Sequence, residues 1–184
     1  MSDQLFKTDV DKRIRKIKAV LFDVDGVLTD GRIIIDSRGV ESKNFNVQDG
    51  LGIFYARTAG LVVGIITGRN SKATKIRAEE LGVDFLSQGC KNKSEPYEEF
   101  KHKYKFSDEE ICFVGDDLLD LSIMAVCGFA VSVSNGREEV KTASQYITEI
   151  PGGYGAVREV IELILKRQGI WYTIVSEYYG SETK

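Results

Sequence analysis

Apolar residues fall in short, nearly unbroken runs at 19–22, 62–66, 111–114, 129–133 and 146–150, each bounded by polar or turn residues. Runs this short and rich in Val, Ile and Phe suit strands buried on both faces of a parallel sheet. Longer stretches with helical character lie between them. Residues 50–59, 71–81 and 118–127 each stop before a glycine (Gly60, Gly82, Gly128), where a helix commonly closes in the left-handed conformation. Val157, Val160, Ile161, Ile164 and Leu165 share one face of a further helix after Gly152-Gly153-Tyr154-Gly155. That glycine segment reads either as a mobile loop near a site or as a plain strand-to-helix turn. Alternating strands and helices predict the α/β class: a doubly wound, Rossmann-like parallel sheet covered on both faces. Ligands in that architecture bind beyond the carboxyl ends of the strands.

Residues 31–45 break the alternation. They read as a β-hairpin inserted after the first strand, with two short arms joined around Asp36-Ser37-Arg38-Gly39. Ile33, Ile34 and Ile35 are consecutive, so both faces of the first arm are apolar, and an isolated hairpin is marginal in water. Packing against another subunit is the expectation; an edge hairpin folded on its own domain is the alternative. Ser107-Asp108-Glu109-Glu110 matches a capping box, but the apolar run beginning at Ile111 leaves room for one turn only. The basic run from Lys12 to Lys18, broken by Ile14 and Ile17, reads as a solvated approach to the first strand. Beyond residue 168, Trp171, Tyr172, Tyr178 and Tyr179 show little helical period, so the tail 169–184 is expected either to be disordered or to reach a neighbouring molecule.

At 184 residues the chain predicts one domain spanning 1–184, with its core at about 17–168. Lys and Arg number 25 against 28 Asp and Glu, a formal charge of −3, which offers no electrostatic footprint for nucleic acid. No apolar run approaches the ~20 residues needed to span a bilayer, and the N-terminus lacks the apolar stretch of a secretory signal. No membrane partner and a cytoplasmic location are therefore expected. Cys90, Cys112 and Cys127 form no CxxC pair and suit buried thiols in a reducing compartment. His102, the only histidine, sits among lysines and reads as a solvated helix residue.

The chemistry gathers at predicted strand ends. Asp23 and Asp25 lie two apart on an extended segment, so both carboxylates face one crevice, and Gly26 lets the chain turn away. Two carboxylates so close call for a cation or a shared proton, and Mg²⁺ is the natural candidate. Asp116 and Asp117 follow another strand; Asp116 completes a plausible three-oxygen corner, while Asp117 and Asp120 could also serve a helix N-terminus. Thr67, Gly68 and Arg69 end the strand at 62–66, and Lys93 precedes a helix, with Lys91 as a competitor for its place. A hydroxyl and an ammonium beside a metal-bound carboxylate are what a transferring phosphoryl group needs.

In this order, Asp23-Val24-Asp25-Gly26-Val27, Thr67, Lys93 and Asp116-Asp117 resemble the four motifs of the haloacid dehalogenase (HAD) phosphatases. The segments 46–50 (NVQDG), 66–69 (ITGR), 115–120 (GDDLLD) and 152–159 (GGYGAVRE) resemble its capless branch, which acts on phosphorylated keto-sugar acids such as 3-deoxy-D-manno-octulosonate 8-phosphate (Kdo-8-phosphate). The resemblance implies an Mg²⁺-dependent phosphomonoesterase with Asp23 as nucleophile and Asp25 as general acid and base. It implies metal ligation by the side chains of Asp23 and Asp116 and the main-chain carbonyl of Asp25, with Asp117 holding a metal-bound water or orienting Lys93. Thr67 and Lys93 would bind the phosphoryl oxygens. Asn46, Val47, Gln48, Asp49 and Gly50 would contact the sugar, and Arg69 and Arg77 could take its carboxylate. The hairpin would build a homotetramer in which a neighbour helps close each site. Phe54 stands where Kdo-8-phosphate phosphatases often carry a basic residue and resembles instead the phosphatase acting on 2-keto-3-deoxynononate 9-phosphate. A phosphoacceptor signalling domain also combines an acidic cluster, Thr and Lys around a parallel sheet, but its candidate residues come in a different order.

Overall fold

A computed structural model describes residues 2–179. Among the described residues, six parallel strands form one sheet: β1 (Ala19–Phe22), β4 (Val62–Ile66), β5 (Phe85–Ser87), β6 (Ile111–Gly115), β7 (Phe129–Ser132) and β8 (Tyr146–Ile147), in the spatial order β5-β4-β1-β6-β7-β8. The chain leaves β1 for β4 and β5 on one side, then returns to β6 on the other. The crevice beside β1 is therefore the switch point at which such sheets bind ligands. Five of these strands were legible as apolar runs. Strand β5 was not, because three residues in the context Val83-Asp84-Phe85-Leu86-Ser87 make no run.

Alternate residues of β1 serve opposite faces. Val20 and Phe22 join Val63, Ile65, Cys112, Val114 and Val131 under one helical layer, and Ala19 and Leu21 join Phe113 and Ala130 under the other. The first layer is built by α1 (Ser2–Lys16), α2 (Val47–Thr58), α3 (Lys72–Leu81), α7 (Ala156–Arg167) and α8 (Trp171–Tyr178). The second comprises α4 (Ser94–Tyr104), α5 (Leu121–Met124) and α6 (Glu138–Ala143). Glycine permits the closest approach between layers: a Cβ on Gly52 of α2 would stand 3.1 Å from the Arg158 Cα of α7.

Several local expectations need correction. Lys12, Arg15, Lys16 and Lys18 are solvated on the approach to β1, as expected, but the stretch to Lys16 is helical, and its isoleucines are not solvated: Ile14 and Ile17 are buried in the core, and Gln168 Nε2 donates to the Ile14 and Ile17 carbonyls at 3.1 and 2.7 Å. The tail is ordered through Tyr179 as α8, where Trp171 meets Tyr55 edge-on at 5.7 Å and the Arg158 guanidinium lies 4.8 Å from Tyr55 and 5.2 Å from Trp171. Residues 180–184 of the tail lie outside the described residues. The predicted helix 118–127 is a 3-10 turn over Leu118–Asp120 followed by the single turn α5. Gly60 and Gly82 do take left-handed φ of 87° and 64°, whereas Gly128 is needed for proximity, since a Cβ there would fall 2.4 Å from the Glu109 carbonyl oxygen. The capping box at Ser107 closes one 3-10 turn, Asp108–Glu110, as expected.

The hairpin consists of β2 (Ile34–Ile35) and β3 (Glu41–Ser42), antiparallel, with Asp36 accepting from the Arg38 and Val40 amides at the turn. Ile33, Ile34, Ile35 and Val40 are 56, 41, 60 and 53 % exposed, so the arm presents apolar side chains to solvent on both of its faces. The glycine segment is not a free loop. Gly153 N donates to the Val27 carbonyl at 2.8 Å, and a Cβ on Gly152 would come 1.7 Å from the Gly26 carbonyl oxygen. It is a turn packed against the Asp23–Val27 segment, and it braces the first strand end.

Candidate active site

The ends of β1, β4 and β6 and the start of α4, where Lys93 stands, bring Asp23, Asp25, Thr67, Gly68, Arg69, Lys93, Asp116, Asp117, Leu119 and Asp120 to one cleft of about 180 Å³. Gly26, at φ 94°, turns the chain and clears the way for Asp116, whose Oδ2 would lie 2.1 Å from a Cβ at that position. Asp23, Asp116 and Asp120 each bring a carboxylate oxygen within 4.8 Å of the others.

The three carboxylates are not equivalent. Asp120 is fully buried and fully engaged: Oδ1 accepts from Lys93 Nζ at 2.6 Å, and Oδ2 accepts from the Asp116 and Asp117 amides at 2.8 and 3.2 Å. Among the described residues, Asp116 Oδ1 is buried and accepts no hydrogen bond, and Asp23 Oδ1 lies 2.9 Å from Lys93 Nζ without accepting one of good geometry. Desolvation by burial pushes Asp23 up to about 6, against the pull of Lys93. Burial, then the charges of Asp23 and Asp120, push Asp116 up to about 8. Burial alone would push the Lys93 ammonium down, but Asp23 and Asp120 together hold it above its ordinary value. Two buried, under-satisfied carboxylates side by side fit a hard divalent cation that takes oxygen ligands.

This electrostatics has a measurable consequence. With divalent ions chelated, raised carboxyl pKa values mean that the folded protein binds more protons than the unfolded chain between about pH 4 and 8. Stability is therefore fully present at the acid end of that window and falls as pH rises, by up to about 1.4 kcal/mol per pH unit for each excess proton. Mg²⁺ held by these carboxylates would displace those protons. Thermal melts from pH 5 to 8 are expected to slope downward in chelator and to flatten in Mg²⁺, with the largest gain at pH 8. Parallel curves in the two buffers would refute the shared carboxylate site.

Thr67 is buried at the end of β4, with its amide on the Ser87 carbonyl and its carbonyl accepting from Cys90 N, which leaves the hydroxyl at the cleft. Asp25 pairs with Lys43 and lies 3.8 Å from Arg69 Nε through Oδ2. Asp117 is turned away from Lys93: its Oδ1 accepts from Leu118 N at 2.7 Å, capping the 3-10 turn. Beside Asp23, the carboxylate that accepts a hydrogen bond from Lys93 is that of Asp120, not Asp117; its place four residues beyond Asp116, at the turn, was the available signal in the sequence.

The segment 46–50 does not enter this cleft. Asn46 Oδ1 caps α2 by accepting from Gln48 N at 2.8 Å, so the helix begins at Val47 and not at Gly50. Val47 and Gln48 are exposed. Asp49 Oδ1 accepts from Arg158 N at 2.9 Å and thereby caps the start of α7, while burial pushes its carboxyl up to about 6. Arg77 joins Phe45, Asn46, Asp49 and Gly50 around a separate small cavity, with its guanidinium over the Phe45 ring at 5.9 Å and on Glu80 at 2.8 Å. Among the described residues the cations lining the cleft are thus Lys93 and Arg69, with the unanticipated Lys43 buried behind Asp25.

Residues 83–161 match the family model described as haloacid dehalogenase-like hydrolase. The Escherichia coli K12 protein 3-deoxy-D-manno-octulosonate 8-phosphate phosphatase KdsC is 41% identical over 161 residues, covering 88% of this chain and 86% of that protein. Among solved structures, the Moraxella catarrhalis 3-deoxy-D-manno-octulosonate 8-phosphate phosphatase, in complex with magnesium, phosphate and KDO, superposes with a TM-score of 0.91 at 40% identity, covering 93% of this chain and 98% of that one. The cobalt-bound Haemophilus influenzae deoxy-D-mannose-octulosonate 8-phosphate phosphatase gives 0.84 at 34% identity, covering 86% and 93%. With this identity running through nearly the whole length of both partners, and with the acidic pair at the carboxyl edge of the sheet, the chain belongs to the 3-deoxy-D-manno-octulosonate 8-phosphate phosphatase family of haloacid dehalogenase-like hydrolases.

Proposed function

We propose that this protein is a Mg²⁺-dependent phosphomonoesterase that hydrolyses Kdo-8-phosphate to Kdo and phosphate through an aspartyl-phosphate. The observation that carries the reading is the meeting of Asp23 and Asp116 with Lys93 and Thr67 in one cleft. Asp23 and Asp116 would hold the ion with their side chains, joined by the Asp25 main-chain carbonyl. Bound there, Mg²⁺ neutralises charge on the phosphoryl group.

An Asp23 carboxylate oxygen attacks phosphorus, forming one P–O bond as the ester P–O bond breaks, and Asp25 delivers a proton to the departing sugar oxygen. Asp25 then takes a proton from water, whose oxygen attacks phosphorus and releases Asp23. Lys93, fixed between Asp23 and Asp120, and the Thr67 hydroxyl hold the phosphoryl oxygens. Asp117 faces solvent at the rim, and we assign it to a metal-bound water only.

For the sugar, Arg69 is the guanidinium that reaches the cleft and is assigned to the carboxylate; Arg77 is engaged in its own cavity. Asn46, Val47, Gln48, Asp49 and Gly50 lie outside the cleft of their own chain; of these the exposed Val47 and Gln48 are free to contribute across a subunit boundary, while Asp49 and Gly50 are buried within their own subunit. The exposed isoleucine arm supports the same arrangement, a homotetramer built through the hairpin. Among the described residues no helix is long and apolar enough to cross a membrane. Together with free Cys90, Cys112 and Cys127, this supports a cytoplasmic enzyme.

Phosphate release with Mg²⁺ from a panel of Kdo-8-phosphate, 2-keto-3-deoxynononate 9-phosphate, acetyl phosphate and hexose phosphates tests the reading. Kdo-8-phosphate is expected to be turned over with the highest kcat/KM. Preference for the nine-carbon acid would move the assignment to that substrate, with Phe54 as the first residue to examine. A stable phosphorylated protein without turnover would instead mark a signalling domain.

A further inference from the structure

Lys43 lies in the hairpin, between Ser42 and Asn44, where nothing in the local pattern distinguishes it from a solvated lysine. The structure buries its side chain to 1% exposure. Its ammonium is ion-paired with Asp25 Oδ1 and lies 3.0 Å from Glu41 Oε1. Arg69 approaches the same two carboxylates, 3.8 Å from Asp25 Oδ2 and 3.5 Å from Glu41 Oε1. Two acids and two bases, Glu41 in β3 and Asp25, Lys43 and Arg69 just beyond β1, β3 and β4, thus close into one quartet at the mouth of the cleft.

An ammonium withdrawn from water is unfavourable unless carboxylates compensate it. Ile33, Ile34, Ile35 and Val40 stay exposed, so the burial of this ammonium is not a by-product of packing the apolar arm into the core. The burial instead fixes Asp25: Lys43 holds Oδ1 and leaves Oδ2 on the Arg69 side of the cleft. We propose that Lys43 is a positioning residue for the proton-transfer step. It holds the Asp25 carboxyl in the orientation from which Oδ2 serves the leaving oxygen and then the attacking water, and so makes the register of the hairpin part of the catalytic apparatus. The inference rests on the phosphatase reading of Asp23 and Asp25.

The test exploits the leaving group. From a sugar phosphate, breaking the ester bond requires a proton for the alkoxide; from p-nitrophenyl phosphate, the phenolate leaves without one. Hydrolysis of the phosphoenzyme needs Asp25 in both cases. Lys43→Met is therefore expected to lose about 10- to 100-fold in kcat on Kdo-8-phosphate, part of the ~10²–10⁴ typical of general acid–base help, with KM changed less than threefold. With p-nitrophenyl phosphate the same variant should release one equivalent of p-nitrophenol per site at the wild-type rate and then turn over slowly, with phosphoryl trapped on Asp23 in acid quench. Lys43→Arg should restore much of the kcat, and the melting profile of each variant separates positioning from loss of fold. Equal slowing of the phosphoenzyme-forming step with both substrates in a folded Lys43→Met protein, or no slowing of either substrate, overturns the proposal. Absence of any acid-trapped phosphoenzyme in the wild-type protein on both substrates overturns the underlying reading itself, a result distinct from any difference between variants.

Discussion

Asp23→Asn is expected to abolish phosphate release, by about 10⁴-fold or more, because the amide can neither attack phosphorus nor supply the anionic ligand that its oxygen provides. The fold should survive the change. Asn has the same shape, Lys93 keeps its 2.6 Å bond to Asp120, and one member of a crowded set of buried carboxylates is neutralised. Burial pushes the Asp23 carboxyl up to about 6, so keeping it ionised at neutral pH in the chelated protein costs folding stability. The variant should therefore melt at the same temperature as the wild type or higher in chelator, and gain less from Mg²⁺. Loss of activity with gain of apo stability is the signature of a strained functional group, in which stability and activity oppose one another. Residual turnover above about 1% of wild type would contradict the nucleophile assignment.

Asp120→Asn should produce the largest loss of stability of any single change at the site. The wild-type carboxylate is 0% exposed and serves three donors, Lys93 Nζ and two main-chain amides. Removing its charge leaves a buried ammonium with Asp23 alone, and breaking such a pair costs about 3–5 kcal/mol. For a chain of this size that corresponds to a fall in melting temperature of roughly 10 °C. The double variant Lys93→Met/Asp120→Asn should recover most of that loss, because removing both charges removes the uncompensated one, and a double-mutant cycle reads the coupling directly. Activity should not recover with it, since the phosphoryl contact of Lys93 is gone. Additive losses in the cycle would show that Asp120 acts through the backbone and not through Lys93.

How far the site was legible depends on how local each signal is. Asp23, Asp25, Thr67, Lys93 and Asp116 stand at the ends of apolar runs or at a helix start, where the topology of a parallel sheet places ligands, so motif order and strand position were enough to gather them. Whether Asp117 or Asp120 holds Lys93 turns on which way one 3-10 turn faces, and that is decided by a side chain reaching back to two amides. Lys43 had no local signal at all, because its partners Asp25 and Arg69 are brought to it by a hairpin that folds over the sheet edge. Helix α1 did carry one: Val10, Ile14 and Ile17 recur at helical spacing within a charged stretch, and the basic residues concealed it.

Sequence alone determined the α/β class, the strands that form the centre of the sheet, the hairpin and the acidic pairs, because apolar runs, turn residues and carboxylates at strand ends act over a few residues. Only the tertiary structure decided which carboxylate is engaged by Lys93 and the turn amides and which are left under-satisfied, that Asp49 caps α7, and that Lys43 is buried on Asp25. Those outcomes follow from desolvation. A charge taken out of water must find its counter-charge in space, and which groups come within 3 Å of each other is set by the packing of distant elements.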